Sequence, residues 1–426
     1  MQDPPVVKSY KRLFMKTIAI FGYGQRGAIY ASYAVAHPQE FKLVAIIENN
    51  QARIMEAKRN CKGVPVFERY EDFLKMRYTV DLVVICTQDA QHREHAVAMM
   101  NAGYDLLLEK PVANNPEDCL SIYRTCKRLG RKVLVCHVLR YTPFYSAIKK
   151  IIKAGELGDI VSIHASENVG YFHYAHSYVR GPWRRSDESS PMILAKCCHD
   201  MDIFCWLLSR KCVSVASYGS LSFYKQENAP KGSAEFCSEC ALKECPYRAQ
   251  ELYTSPDPVR NQFARYFCAR GQSEENILAD LRKTQYDRCV FRSDNDVVDH
   301  QVTIMAFEKG STVCHTMTAF SQEIYRDIKI YGTKAELYGH MEHNLIEVRP
   351  FGAPSRQVIP ELPQNAVGGH CGGDEEMMRS IYRVLCGQED DSVSYLDVSV
   401  ESHLMAFAAE QSRLNGGCVQ IDDLKN

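Results

Sequence analysis

Two short stretches carry side chains that can move protons. The run LLLEKP at 106–111 ends three leucines with an adjacent acid and base, Glu109 and Lys110, and then a proline. An ammonium fixed at the end of a buried strand can hydrogen-bond a substrate hydroxyl and favour its alkoxide-like form as hydride departs. A surface lysine in a turn is the plainer alternative, and the buried run before Lys110 argues against it. The run KCCHDMD at 196–202 spaces Lys196, His199 and Asp202 three apart, which predicts one shared face near the start of a helix. His199 is the group there whose ordinary pKa, about 6.5, suits proton exchange near neutrality. Lys196 beside it would lower that value by like-charge repulsion. The plainer alternative for His199 is a satisfied structural histidine.

The elements that must position these groups alternate along the first third of the chain. KTIAIFG at 16–22, FKLVAIIE at 41–48, DLVVICT at 81–87, LLL at 106–108 and RKVLVCHVLR at 131–140 read as strands, with helical stretches between them. That order predicts an α/β fold with an N-terminal doubly wound parallel Rossmann sheet over 15–140, after an extension at 1–14. The first strand runs into GYGQRG at 22–27. Gly22 permits a tight turn, Gly24 lets backbone approach a pyrophosphate, and Gly27 lets the helix pack close to the sheet. Gln25 and Arg26 lie inside that loop, at a helix N-terminus suited to phosphate. Glu48, 21 residues beyond Gly27, is placed to bind ribose hydroxyls and to repel a 2′-phosphate, which favours NAD over NADP. Arg26 is the opposing feature, since it could meet a 2′-phosphate.

Ligands of such sheets lie beyond the carboxyl ends of the strands. Thr87, Gln88 and His92 follow one strand, Glu109 and Lys110 the next, and Arg140 and Tyr141 a third, so all are expected near the cofactor or substrate. A substrate-binding and oligomerisation domain is expected over 141–426. Its segment GYFHYAHSYVRGPWRRSDESSP reads as a loop dense in rings and cations. His176, Arg180, Trp183 and Arg184 are candidates for substrate contact, and arginine forks facing inward would select an anionic substrate. A surface loop with chance aromatics is the alternative. Alternating strands near 160–169 and 300–340 predict a second sheet.

Gly22 to Gly27, Thr87 with His92, and above all Glu109-Lys110-Pro111 resemble the Gfo/Idh/MocA family of oxidoreductases. The resemblance implies NAD(P)-dependent chemistry at a CH–OH group of a sugar, cyclitol or related polyol. It implies a C-terminal α/β domain with a large, open, mostly antiparallel sheet, and homodimers or homotetramers built on that sheet. It gives His199, in its H-D-x-D context, the acid/base role, with Lys110 polarising the oxygen. Many relatives carry aspartate four residues before that histidine; Ala195 stands there, beside Lys196. Two other functions remain compatible. One is a redox-neutral enzyme that retains NAD, an oxidation–elimination glycosidase or epimerase, to which His173, His176 and Lys196 could lend acid–base groups. The other is a non-catalytic NAD-sensing protein.

The 18 cysteines are mostly scattered singly through apolar stretches, as expected of buried thiols in a reducing, cytoplasmic compartment. CSECALKEC at 237–245 breaks that pattern. Cys237, Cys240 and Cys245, with Cys289 preferred over Cys268 as fourth ligand, suit a structural zinc site pinning a polar insertion near 225–287. An iron–sulfur cluster and reduced thiols are the alternatives. VGGHCGGDEEMM at 367–378 reads as a connection or as a lid carrying His370. A formal net charge of −1 offers no field for nucleic acid, and no apolar run is long enough to span a membrane. A small carbohydrate-like molecule is therefore the expected partner.

Overall fold

The computed structural model describes residues 15–268, 273–362 and 371–425. Six strands form the first sheet: β1 (Lys16–Phe21), β2 (Phe41–Ile47), β3 (Val66–Phe67), β4 (Leu82–Ile85), β5 (Leu106–Leu108) and β6 (Val133–Val135). All pair in parallel, in the order β3-β2-β1-β4-β5-β6. The order reverses at β1, so the crevice of this doubly wound sheet lies over β1 and β4. Every residue of β4, β5 and β6 is buried, as near-continuous apolar runs require when helices cover both faces. The strands are shorter than the apolar runs suggest. The run at 131–140 holds only three strand residues, and then turns through a 3₁₀ segment at Val138–Tyr141. The loop that follows Lys110 ends at the helix Pro116–Leu129, where Asn115 accepts the Asp118 N–H and a proline opens the first turn.

The second sheet has nine strands: β7 (Ile160–Asn168), β8 (Cys212–Ser220), β9 (His300–Phe307), β10 (Thr312–Thr318), β11 (Tyr325–Gly332), β12 (Ala335–His340), β13 (Leu345–Pro350), β14 (Arg356–Val358) and β15 (Cys418–Gln420). Their order is β14-β13-β12-β11-β7-β10-β9-β8-β15. Only the central β7–β10 pair is parallel, which makes the sheet mixed and mostly antiparallel. The helix Leu396–Asn415 packs on β8 on one side and on the helix Cys198–Leu208 on another, and is buried along most of its length.

Three local expectations are corrected. Only the second half of the ring-rich segment is a loop: Tyr171–Tyr174 is helical and Ala175–Arg180 forms a fully buried π-helical turn, while 181–191 is irregular and partly exposed. The stretch at 192–208 is two helices, Met192–Ala195 and Cys198–Leu208, broken at Lys196-Cys197. Lys196 therefore does not share a helix face with His199 and Asp202. The cysteine-rich insertion has its own apolar cluster, in which Leu252, Tyr253, Phe263, Ile277, Leu281 and Tyr286 close on Phe172. It does not depend on a metal for all its packing. His370 lies outside the described residues, and with it the test of a lid.

Candidate active site

The glycine loop is shaped by steric necessity. Gly22 has φ +94°, and a Cβ there would lie 2.7 Å from the Cys86 carbonyl oxygen. At Gly27 a Cβ would lie 1.9 Å from the Gly22 carbonyl oxygen, so only glycine lets the helix Gln25–Ala36 approach β1. Gly24 precedes that helix without a side-chain cap, which leaves its first N–H groups turned toward the loop. Glu48 is nearly buried at the end of β2. Its Oε2 accepts the Tyr23 N–H at 2.7 Å, and its Oε1 accepts those of Asn49 and Asn50 at 2.9 and 2.8 Å. One carboxylate thus holds the glycine loop against the next turn. Uncapped helix N–H groups, a glycine floor and this acid together fit a dinucleotide.

Arg26 does not reach outward. Its Nε donates to Glu109 Oε1 at 2.7 Å, and its Nη2 to Asp374 Oδ1 at 2.5 Å and to the Tyr30 hydroxyl. Against burial, Tyr30 and then Glu109 and Asp374 hold this guanidinium well above its ordinary pKa, and Arg26 in turn holds Glu109 below the carboxylate range against the opposing effect of burial. Its charge is balanced by two carboxylates of the protein itself. Gln25 faces the insertion: its Oε1 accepts the Tyr266 hydroxyl at 2.8 Å.

The strand-end loops are braced together. His92 is fully buried, with Nδ1 2.8 Å from the Pro111 carbonyl oxygen and Nε2 3.2 Å from that of Thr87. The ring is wedged between the backbone carbonyls of the two loops and donates to one of them, so His92 positions Thr87 and Lys110 and does not face the crevice. The Thr87 hydroxyl meets His95 Nδ1 at 3.0 Å, and Gln88 is exposed. Lys110 Nζ donates to the Ala195 carbonyl oxygen at 3.0 Å. This contact crosses from the Rossmann sheet to the segment that runs into the helix of His199. Beside it sits Asp89, which accepts the Ser190 hydroxyl at 3.2 Å and is pushed up by burial, with His92 and Lys110 opposing. Asp89 was not among the sequence candidates, although it directly follows Thr87-Gln88 in a strand-end loop.

The helix of His199 is anchored by two buried ion networks. Arg140 makes a bidentate pair with Asp202, 2.6 Å at each oxygen. Arg326 of β11 donates through Nε to Asp200 at 2.9 Å and meets Glu167 of β7 at 2.5 Å, and Lys196 Nζ lies 3.2 Å from the other oxygen of Glu167. Arg140 and Lys196, expected at substrate, are thus tied to carboxylates. Tyr141 is a core residue packed with Met377 and Tyr382. His199 lies with its ring centroid 6.0 Å from that of His137, which is 5.7 Å from His403. His403 donates from Nδ1 to Ser399 O and accepts the Val112 N–H at Nε2, a pattern that demands the neutral ring and agrees with a pKa driven down to about 3 by burial.

The other candidates gather elsewhere. His176 is stacked on Tyr286 and hydrogen-bonded to the Tyr253 hydroxyl at 3.0 Å, inside the insertion's core. Arg180 is 1% exposed and donates to Arg288 O and Tyr247 O. Arg184 pairs with Asp294 and Glu188, and Trp183 packs against the main core. None of the three expected arginines turns an unspent fork toward Lys110, so nothing here supports an anionic substrate. Cys237, Cys240, Cys245 and Cys289 line one cavity in the insertion, while Cys268 belongs to the insertion's apolar cluster. Among the described residues the tightest donor triad is Cys197, Asp200 and His315, with donor atoms within 4.8 Å. Asp200 there already accepts from Arg326 Nε.

The comparisons with known proteins agree with this architecture. Residues 16–137 match the family described as an oxidoreductase family with an NAD-binding Rossmann fold, and residues 149–363 match its C-terminal alpha/beta domain. Together these cover more than half of the chain, which therefore belongs to the Gfo/Idh/MocA family of oxidoreductases. It is similar to YteT, a candidate oxidoreductase of Bacillus subtilis (strain 168), at 25% identity over 71% of this chain and 72% of that protein. It is similar to inositol 2-dehydrogenase 2 of Saccharopolyspora erythraea at 28% identity over 47% of this chain and 56% of that enzyme, so it spans little more than half of this relative. In fold it resembles a levoglucosan dehydrogenase in complex with NADH and levoglucosan, with TM-score 0.70 at 16% identity over 96% of this chain and 99% of the other. An Agrobacterium radiobacter oxidoreductase in complex with NAD+, L-tartaric acid and magnesium gives TM-score 0.69 at 15% identity over 96% and 99%. No described helix is long and apolar enough to cross a membrane.

Proposed function

We propose that the chain oxidises or reduces a secondary hydroxyl of a sugar, a cyclitol or a derivative of one, using NAD. The observation that carries the reading is the 3.0 Å contact from Lys110 Nζ to Ala195 O, which couples the strand-end ammonium to the segment leading into His199. When bound, NAD supplies the hydride acceptor. Lys110 donates to the substrate oxygen and disperses its developing charge. His199 takes the hydroxyl proton in the oxidative direction. His92 and the Arg140–Asp202 pair hold these two groups in register. Glu48 takes the ribose and Thr87 and Gln88 border the crevice, while the closed charge balance of Arg26 supports NAD over NADP. The test is a screen of sugars, cyclitols and uronates with NAD, read at the nicotinamide absorbance band and by product mass, with Lys110→Met as control. Failure of every polyol, or equal turnover by Lys110→Met, refutes the assignment.

A second reading rests on the Tyr266–Gln25 hydrogen bond, by which the insertion touches the glycine loop. A loop held there would slow coenzyme release and favour redox-neutral chemistry with retained NAD. NAD that stays with the protein through gel filtration, with no net NADH during turnover, selects this reading. We also propose a homo-oligomer built on the open sheet. Val161, Val213, Tyr218, Val302 and Ile304 are exposed on β7, β8 and β9, and Tyr218 pairs directly with Val302. Light scattering tests it, and a monomer at micromolar concentration counts against it.

A further inference from the structure

The insertion between β8 and β9, together with Arg180, borders a small cavity of about 20 Å³ lined by Cys237, Cys240, Cys245 and Cys289. A space of that size holds about one water or one ion. The backbone brings these thiols together deliberately. Cys237 N–H donates to Asp287 O, and Cys289 N–H donates to Glu235 O, so a short antiparallel bridge at Phe236 and Arg288 sets the two cysteines side by side. Cys240 N–H then donates to Cys237 O, which turns the third thiol back toward the pair.

The charge around the cavity is an independent observation. Arg180 and Arg248 also line it. Arg180 Nη2 donates to Cys237 Sγ at 3.5 Å, while its Nη1 is buried without a hydrogen-bond partner. Nη1 of Arg248 is buried without one as well. Buried guanidinium N–H groups left unmatched are costly, and their natural complement is negative charge. Four neutral thiols do not provide it. Four thiolates around a divalent cation provide a net double negative charge at the centre of this rim.

We propose that Cys237, Cys240, Cys245 and Cys289 bind one thiophilic divalent cation, Zn²⁺ by its preference for four thiolates, in a closed structural site. An iron–sulfur cluster needs more room than one ion. No three of the four sulfurs yet lie within 4.8 Å of one another, whereas bonds of about 2.3 Å to one tetrahedral ion bring them to about 3.8 Å. The site therefore requires the cysteine side chains to turn into the cavity, and each thiol gives up its proton to solvent as it binds. The ion would tie the loop at 237–245 to the exit of the insertion. Through Arg180 it would steady the π-helical turn that carries His176.

The test uses the untagged full-length chain, purified without chelating resin. Plasma mass spectrometry is expected to find about one zinc per chain. Substituting Co²⁺ is expected to give the intense absorption of a tetrahedral tetrathiolate site. Cys240→Ser and Cys289→Ser should lower zinc content to below about a third, while Cys268→Ser, outside the cavity, should retain it. The proposal is overturned if wild type stays free of zinc after incubation with Zn²⁺ under reducing conditions. It is equally overturned if the Co²⁺ protein shows no thiolate charge-transfer band, or if the bound metal is iron with sulfide. The Co²⁺ spectrum of wild type decides the matter even where a cysteine variant does not fold.

Discussion

Asp202→Asn isolates the charge that fixes the helix of His199. Both Arg140 and Asp202 are essentially buried, and two hydrogen bonds of 2.6 Å join them. Burial nevertheless outweighs the guanidinium and pushes the Asp202 carboxyl up. A pair in that condition adds little net stability, yet removing one partner strands a buried charge at a cost of about 3–5 kcal/mol. Asparagine keeps one acceptor for one of the two N–H groups, which brings the expected loss to roughly 2–4 kcal/mol. Urea unfolding gives the number from the shift in midpoint at constant slope. The chain has two tryptophans, and the ring of Trp206 lies 5.7 Å from the Arg140 guanidinium carbon, so its emission reports on this site directly. The double variant Arg140→Met/Asp202→Leu removes both charges and should recover at least half of the loss. If Asp202→Asn lies within about 1 kcal/mol of wild type, or if the double variant is no better than the worse single one, the anchoring argument is wrong.

Lys110→Met should lower kcat/KM about 10²–10³-fold, the usual cost of one donor to a developing oxyanion, with thermal stability nearly unchanged. Steady-state kinetics beside a melting curve checks both halves. Gly27→Ala forces a Cβ onto the Gly22 carbonyl, so NAD binding should vanish and stability should drop by about 1–3 kcal/mol or more; coenzyme titration and urea unfolding read these out. His176 gives a pH dependence. Burial lowers its pKa to about 3, against about 6.5 when unfolded, so below 6.5 the unfolded chain binds a proton that the folded chain refuses. Its contribution is fully present above about pH 6.5 and is lost as pH falls toward 3, by about 1.4 kcal/mol per unit at most. His176→Phe should flatten the melting profile between pH 5 and 6.5, and an unchanged slope would exclude His176 as the cause.

The Rossmann half was legible because its signals are local. A glycine whose Cβ would lie 1.9 Å from a carbonyl oxygen, three buried strands and a helix capped at Asn115 all depend on residues close in sequence. The substrate half was legible only as residue types. Arg140, Arg180 and Lys196 have the chemistry to bind a ligand, and spacing does not reveal that Asp202, Arg288 O and Glu167 consume it first. Those partners come from distant strands and helices, and burying a charge makes such pairing obligatory. The break at Lys196-Cys197 was equally hidden, since neither residue is a helix breaker. Asp89 was within reach: a carboxylate one residue beyond Thr87-Gln88 shares their strand end and hence their neighbourhood.

The three backbone N–H groups gathered by Glu48 bear on coenzyme engineering. Replacing the acid at the end of the second strand is the obvious route to switching a dehydrogenase toward the phosphorylated coenzyme. In this chain the same carboxylate fastens the glycine turn that we propose cradles the diphosphate. A neutral replacement there would unfasten the cradle while admitting the new phosphate. Redesign must therefore supply another acceptor for the Tyr23 amide before selectivity can change.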